Sequence, residues 1–313
     1  MRVCLMVEGQ EGVSWEQWLS LALACGEAGL EGLFRSDHYL SFGHPRERQA
    51  LDAWTTLAGL AHATDRIKLG TLVSPATFRH PSVLAKSVAT VDQISSGRVE
   101  LGLGTGWNEA EHKAYGFPFP AMRERFALFT EQAEIIHRSW HPEPFDFHGE
   151  HYTIEGLDAL PKPVQSPHPN FIVGGQGGTR SVAVAARWAD EYNTNFAGPE
   201  ECARRRARLD HACERLGRPQ LPFSLMTGCV VGEDRDDLLR RAAMLMDLRG
   251  QDGDAAAWLD GLPDVMITGT IDEAAERLAR LEKAGVDRAM MQMQAHEDVE
   301  MVHVLGRLAQ TVA

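Results

Sequence analysis

Residues 67–104 read IKLGTLVSPATFRHPSVLAKSVATVDQISSGRVELGLG. An apolar run over 67–73 is followed by Val83, Leu84, Ser87, Val88, Val91 and Ile94 at helical spacing behind Pro81, and then by a second apolar run at 99–103. A proline suits a first helical turn, where its missing N–H has no partner to lose. Strands that are apolar without alternation must be covered on both faces, and that is the habit of parallel sheets. The stretch therefore predicts one βαβ unit, right-handed by the usual strand twist.

The same grammar extends outward. Further apolar runs lie at 3–7, 30–34, 171–173, 223–231 and 288–293. Between them, Trp15, Trp18, Leu19, Ala22, Cys25 and Gly26 fall at helical spacing behind a Ser14–Gln17 capping box. Leu278 and Leu281 follow a second box, Thr270 with Glu273, and Gly285 is placed to end that helix. A strand count near eight predicts an α/β fold, a single (β/α)8 TIM barrel, with insertions in the βα loops at its C-terminal mouth. The whole chain, 1–313, reads as one domain, without a linker or an internal repeat. Two stretches interrupt the alternation. Residues 141–170 are proline-rich, with a short hairpin expected around His148, Gly149 and Glu150, and residues 233–268 are largely helical with a Gly/Asp-rich part at 250–254.

Composition excludes several classes. Lys and Arg total 31 against 44 Asp and Glu, a formal charge of −13, so a phosphate backbone would be repelled and nucleic acid is not an expected partner. The Arg204–Arg206 run follows Glu200 and Glu201 and reads as a solvated helix face. No apolar run reaches the roughly 20 residues that cross a bilayer, and the N-terminus turns acidic too early for a signal peptide. Cys4, Cys25, Cys202, Cys213 and Cys229 are odd in number and form no CxxC pair. That pattern suits a reducing cytoplasm rather than a disulfide framework. His148 and His151 are three apart, but neither HExxH nor an HxH on the first strand occurs, so no metal site is expected. No GxSxG elbow is present either.

Chemistry in a barrel collects where strands end. After the second strand come Asp37 and His38, a carboxylate and an imidazole able to exchange a proton near neutral pH; the bland reading is a surface histidine. After the fourth come Gly104, Thr105, Gly106 and Trp107, where bare backbone can approach a planar ligand. Glu109, Glu111 and His112 follow, and read as an exposed acidic helix start. After the fifth come Gly174, Gly175, Gln176, Gly177, Gly178, Thr179 and Arg180, opening a helix. Glycines before a helix N-terminus can cradle an anion, or can simply make a flexible turn.

Taken in order and spacing, Asp37-His38, GTLVSPATFRHP at 70–81, VDQISSGRVELGLGTGWNEAEHKAYGF at 91–117, LPKPVQ at 160–165 and GGQGG with Arg187-Trp188-Ala189-Asp190 resemble the bacterial luciferase-like flavin oxidoreductase family, also called luciferase-like monooxygenases. The GWNEAEHKAYGF segment is most similar to the coenzyme F420-dependent branch. The resemblance implies a flavin or deazaflavin at the barrel mouth. It places a cis peptide at Leu72–Val73 under the ring, Asp37 and His38 beside the ring's pyrimidine side with His38 exchanging the proton, and Thr105, Gly106 and Trp107 along the cofactor. Gly174, Gly175, Gly177, Gly178 and Thr179 would cradle its phosphate, with Arg79, Arg180 and Arg35 available to a polyanionic tail. Phe145, Phe147 and Tyr152, in the family's variable insertion, would wall the substrate.

The function implied is F420-dependent hydride transfer to or from a small organic substrate. Two alternatives stay open: an FMN-dependent two-component monooxygenase using reduced FMN from a partner reductase together with O2, and a non-catalytic flavin- or deazaflavin-binding protein on the same fold. Where luciferases proper often carry an arginine in the glycine segment after strand four, this chain has Thr105, which weighs against the luminescent type. Barrels of this kind commonly pair, and 14–29 with 52–64, carrying Trp15, Trp18 and Trp54, are the candidate apolar patch of a homodimer.

Overall fold

The computed structural model describes residues 1–43 and 47–313. Its strands β1 (Arg2–Val7), β2 (Gly32–Arg35), β3 (Lys68–Thr71), β4 (Val99–Gly104), β5 (Asn170–Gly174), β6 (Glu191–Asn195), β7 (Phe223–Gly232) and β8 (Arg288–Met293) are all parallel. Each pairs with its sequence neighbour, and β8 returns to β1 with Met290 opposite Cys4, closing a (β/α)8 TIM barrel. The outer helices are α1 (Trp15–Ala28), α2 (Ala53–Ala63), α3 (Pro81–Ser95), α4 (Met122–Trp140), α5 (Thr179–Trp188), α6 (Pro199–Arg215), α7 (Ile271–Lys283) and α8 (Val299–Thr311). Both expected capping boxes form, at Ser14–Gln17 and Thr270–Glu273, and Pro81 takes the first turn of α3.

Several βα loops carry structure of their own at the mouth. The β4–α4 loop holds a short helix, Glu109–Tyr115, and the β7–α7 loop holds helices Arg235–Leu248 and Ala255–Asp260 and a strand, Ile267–Thr270, on the outer end of β7. The 141–170 stretch is different. It joins α4 to β5, so it leaves from and returns to the opposite, N-terminal face. Its hairpin forms as expected, Phe145–His148 against Thr153–Leu157, and its turn is tied to mid-helix Glu131, which accepts the amides of Glu150, His151 and Tyr152.

β6 is the strand the apolar pattern does not reveal. Its sequence, EYNTN, is polar because alternate residues point into the barrel and find partners there. Asn193 Nδ2 donates to Ser224 Oγ at 2.9 Å, and Glu191 accepts from the buried Arg288 guanidinium at 3.1 Å. Arg288 also reaches Glu100 (2.8 Å), Glu31 (2.8 Å) and the Cys4 sulfur (3.2 Å). Burial raises the Glu191 pKa, although the Arg288 charge opposes the rise, so the carboxyl takes up its proton more readily than usual. This network fills the barrel's lower end, and Met6, Phe34, Leu72, Ile172 and Met290 fill the space above it.

No helix among the described residues is long and apolar enough to cross a membrane. Trp18 and Trp54 are core residues at 0% and 4% exposure, so of the three tryptophans expected in an exposed patch only Trp15 qualifies, at 38%. The five cysteines are buried and unpaired.

Candidate active site

β2 delivers Asp37 and His38 to the mouth. The His38 Nδ1 lies 2.7 Å from Glu111 Oε2, and Glu111 Oε1 accepts the backbone N–H groups of Tyr39 and of Leu40 (3.1 Å). Glu111 comes from the short helix after β4, where Asn108 caps the first turn by accepting the Glu111 amide. Glu111 is fully buried and His112 is 1% exposed, so the expectation of an exposed acidic helix start fails for both and holds only for Glu109. Nothing in the sequence marks this turn as buried: adjacent Glu111 and His112 point to different neighbours, Glu111 to His38 and the Tyr39 and Leu40 amides, His112 to Thr77 Oγ1 at 2.6 Å. A buried carboxylate beside an imidazole is a stable arrangement because charge and hydrogen bond act together. For His38, burial disfavours the charged ring, but the hydrogen bond and charge of Glu111, with Glu8 and Asp37 adding, outweigh it and raise the pKa.

Asp37 is also fully buried. Its Oδ2 accepts from Ser74 Oγ at 2.6 Å and from the Arg79 guanidinium, while its Oδ1 is buried without a hydrogen-bond partner. An unpartnered buried carboxylate oxygen is costly and asks for a donor from a ligand. Arg79 is fully engaged: besides Asp37 it donates to Tyr39 Oη (2.6 Å) and Asp52 Oδ2 (2.7 Å). It is a clamp on Asp37 and is not free for a polyanionic tail. Arg35 is not free either. It is 0% exposed, lies over the Trp18 ring and donates to the carbonyls of Ser36 (3.1 Å) and Leu51 (2.8 Å).

The Leu72–Val73 peptide is cis, as the family resemblance implies. Val73 fills a bay that exists only because three neighbours lack side chains: a Cβ at Gly102, Gly104 or Gly174 would come within 2.9, 2.8 or 3.0 Å of it. Leu72 caps the barrel interior from above. Gly106, at φ +77°, passes Thr77 so closely that a Cβ would meet its hydroxyl at 2.8 Å. Thr105 is half-buried beside it. Trp107 is 61% exposed, and its ring centroid lies 5.6 Å from that of His38; Phe42, 46% exposed, lies 4.9 Å from His38 and 5.0 Å from Trp107. Two exposed aromatic rings therefore flank the histidine.

Across the mouth, the glycine segment leads into α5. A Cβ at Gly175 would strike Tyr192 Oη at 2.5 Å, and one at Gly177 (φ +69°) would strike Arg205 Cγ at 2.6 Å. Tyr192 Oη accepts the Gly177 amide at 2.8 Å and fixes the turn. The first turn of α5 has neither a capping side chain nor an acidic residue, in contrast to α6, whose first turn carries Glu200 and Glu201. Its free N–H groups and positive dipole end thus face outward at Gly178 and Thr179, which are exposed. Arg180 is exposed there as well, and exposed Arg208 donates to Gly177 O at 3.3 Å. Arg208 was not legible as a site residue, because α6 brings it to the glycine turn only through the fold.

Two of the three hairpin aromatics are turned away from this mouth. Phe145 is 7% exposed in a small core with Ile135 and Ile154, and Phe147 packs against the same cluster. Tyr152 Oη accepts from Gln132 Nε2 at 2.8 Å, and its ring meets His80 edge-on. For Phe145 and Phe147 the expectation of a substrate wall is corrected, because they pack in the hairpin's own core on the outside of α4; Tyr152 instead meets the β3–α3 loop, through His80 and through Gln132, which also donates to Ala76 O and to Arg79 O (3.1 Å).

A barrel with this constellation is a member of a known class. The luciferase-like monooxygenase family model matches residues 3–288, and the chain belongs to that family. It is 34% identical over 215 residues to an F420-dependent glucose-6-phosphate dehydrogenase from Intrasporangium calvum, covering 67% of this chain and 63% of that protein. Against a pyrimidine monooxygenase from Yersinia enterocolitica it is 32% identical over 216 residues, covering 67% of this chain and 56% of the other. The matched part thus spans less than two thirds of either relative. Among solved structures, an F420-dependent secondary alcohol dehydrogenase in complex with an F420-acetone adduct superposes with a TM-score of 0.82 at 18% identity, covering 100% of this chain and 99% of that one. The monooxygenase RslO1 from Streptomyces bottropensis gives 0.78 at 23% identity, covering 100% and 98%. At those identities the likeness is one of fold.

Proposed function

We propose that the chain, acting as one domain over residues 1–313, is a coenzyme F420-dependent oxidoreductase that moves a hydride between the deazaflavin and a small organic substrate. The observation that carries this is His38, locked through Nδ1 to buried Glu111 and flanked by exposed aromatic rings above a barrel with an uncapped helix end across the mouth. When bound, the deazaflavin supplies the ring carbon that accepts or releases hydride. The groups present fit it: a carboxylate oxygen of Asp37 in want of a donor, a shelf at Leu72 and Val73, bare backbone at Thr105 and Gly106, Trp107 beside them, and a cradle of Gly174, Gly175, Gly177, Gly178 and Thr179. Arg180 and Arg208 place local positive charge where a polyanionic tail would leave that cradle, on a protein whose net charge is −13.

The chain's own part is positional and acid–base. Glu111 holds the Nδ1 proton and thereby assigns Nε2 of His38 to exchange a proton with the substrate, as in any carboxylate-oriented imidazole. For oxidation of an alcohol, the C–H hydrogen leaves as hydride and the O–H proton goes to Nε2, leaving a carbonyl. Asp37 is held through Oδ2 by Ser74 and Arg79, and its unpartnered Oδ1 would accept a donor from the cofactor ring. Trp107 and Phe42 restrict the approach to His38, and keeping water from the reacting groups is the service such walls give.

The relative named as a pyrimidine monooxygenase supports a second reading, FMN with O2 and a separate reductase. Oxygen uptake separates the two. The F420 reading expects substrate-dependent bleaching of F420 absorbance with no oxygen consumed; oxygen uptake with reduced FMN, and no F420 turnover across a panel of alcohols, aldehydes and sugars, would replace it. A cytoplasmic location, supported by five unpaired cysteines, belongs to the same proposal. So does a homodimer, for which exposed Trp15 and Leu23 of α1 are the apolar candidates.

A further inference from the structure

Three histidines meet at the barrel's N-terminal face, away from the mouth. His137 is on the last turn of α4, His141 is its C-cap residue, and His168 lies just before β5. One ring nitrogen from each lies within 4.8 Å of the others. In sequence, His137 and His141 are four apart on one helix face, the spacing that lets two imidazoles share a ligand. The third member is brought by the 141–170 connection and is invisible without the fold.

Two features make this more than a stack of rings. First, His168 Nδ1 donates to Pro169 O at 3.0 Å and has Asp190 Oδ2 at 3.6 Å, which assigns its lone pair to Nε2. A ligating imidazole ordinarily has its other nitrogen held by a carbonyl or carboxylate in this way. Second, the rings of His137 and His141 donate to and accept from no other described residue, so either nitrogen can turn to a ligand. The remaining charged groups facing the cluster are Arg218 and Lys162, which oppose a cation. Arg218 is engaged by the carbonyls of Ala186 (3.0 Å) and Ala189 (2.9 Å), and Lys162 by Asp158 (3.4 Å).

We propose that His137, His141 and His168 form a divalent-metal site for a borderline ion of the Zn2+ type, with Asp190 orienting His168 and water completing a tetrahedron. Nitrogens at about 2.0–2.1 Å from such an ion stand a little over 3 Å apart, so the rings need close by only about 1–1.5 Å. Rotation of His141, which caps the helix at the surface, supplies much of that. The metal would tie the end of α4 to the start of β5, on the face opposite the cofactor.

Metal-stripped protein titrated with Co2+ tests this. One equivalent should bind and give the visible d–d bands of a tetrahedral nitrogen site, and Zn2+ should displace it. His141→Ala and His168→Gln should each weaken binding by at least about 100-fold, and Asp190→Asn by about 10–100-fold. His38→Ala, in the cofactor site, should leave the bands unchanged. Absence of the bands in folded protein, octahedral weak binding only, or equal affinity in the His141→Ala variant would each overturn the proposal. Because His141 is partly exposed at the end of α4, its variant keeps the test valid should His168→Gln not fold.

Discussion

Replacing Glu111 by Gln probes the proton relay with almost no change of shape. The amide oxygen can still accept from the Tyr39 and Leu40 N–H groups, but the amide nitrogen then faces His38 Nδ1, where an oxygen now accepts at 2.7 Å. One charge-assisted hydrogen bond is lost, a contribution of about 1.5–3 kcal/mol, or roughly 10–150-fold in any step that uses the charged ring. The His38 pKa must move as well. Burial already pulls it down, and Glu111 is the largest influence pulling it up, so the variant should titrate below the native enzyme and below the ordinary histidine value. The sign for stability follows. A histidine whose folded pKa is raised stabilises the fold below its unfolded pKa and loses that contribution as pH rises through the folded value. The native protein should therefore gain more stability between about pH 8 and 6 than Glu111→Gln does. NMR of ring-labelled histidine gives the pKa directly, and urea melts at several pH values give the linkage. An unchanged or higher His38 pKa in the variant, with turnover intact, would refute the reasoning.

Three further outcomes are expected. Arg79→Ala leaves the buried Asp37 without its counter-ion and should cost about 3–5 kcal/mol in chemical denaturation; an unchanged urea midpoint would show that the pair contributes nothing to the fold. Gly177→Ala strains a left-handed position and pushes against Arg205; about 1–2 kcal/mol at that turn should weaken F420 binding roughly 5–30-fold, measured by fluorescence titration, while the melting curve stays cooperative. Trp107→Ala removes an exposed ring, so stability should stay within about 0.5 kcal/mol of native while substrate KM rises; a large drop in Tm instead would show that Trp107 is a structural residue.

Much of the fold is legible in the chain because seven strands are buried on both faces and so read as apolar runs. β6 escapes that logic: Glu191 and Asn193 face inward and are satisfied by Arg288 and Ser224, partners supplied from other strands, so nothing local marks the segment as buried. The site divides in the same way. Asp37, His38 and the glycine turn are announced by their place after strands, and the Leu72–Val73 bond by family resemblance. Glu111 was misread because a carboxylate in a first helical turn is normally solvated, and only the docking of that turn onto the Tyr39 and Leu40 amides makes it a buried base. Arg35 and Arg79 looked free because the sequence does not show that Leu51 and Asp52, ahead of α2, turn back over them. Phe145 and Phe147 read as mouth residues because the chain does not say on which face a long connection begins; once α4 is placed, 141–170 must start at the opposite end.

The cofactor assignment is tested most directly by titrating the protein side by side with oxidised coenzyme F420 and with FMN, at moderate salt, by fluorescence or calorimetry. The account predicts one F420 per chain at micromolar or tighter affinity, weakened by added salt as the tail separates from Arg180 and Arg208, and FMN at least tenfold weaker. FMN binding tighter than F420, or no binding of either to folded protein, would contradict it.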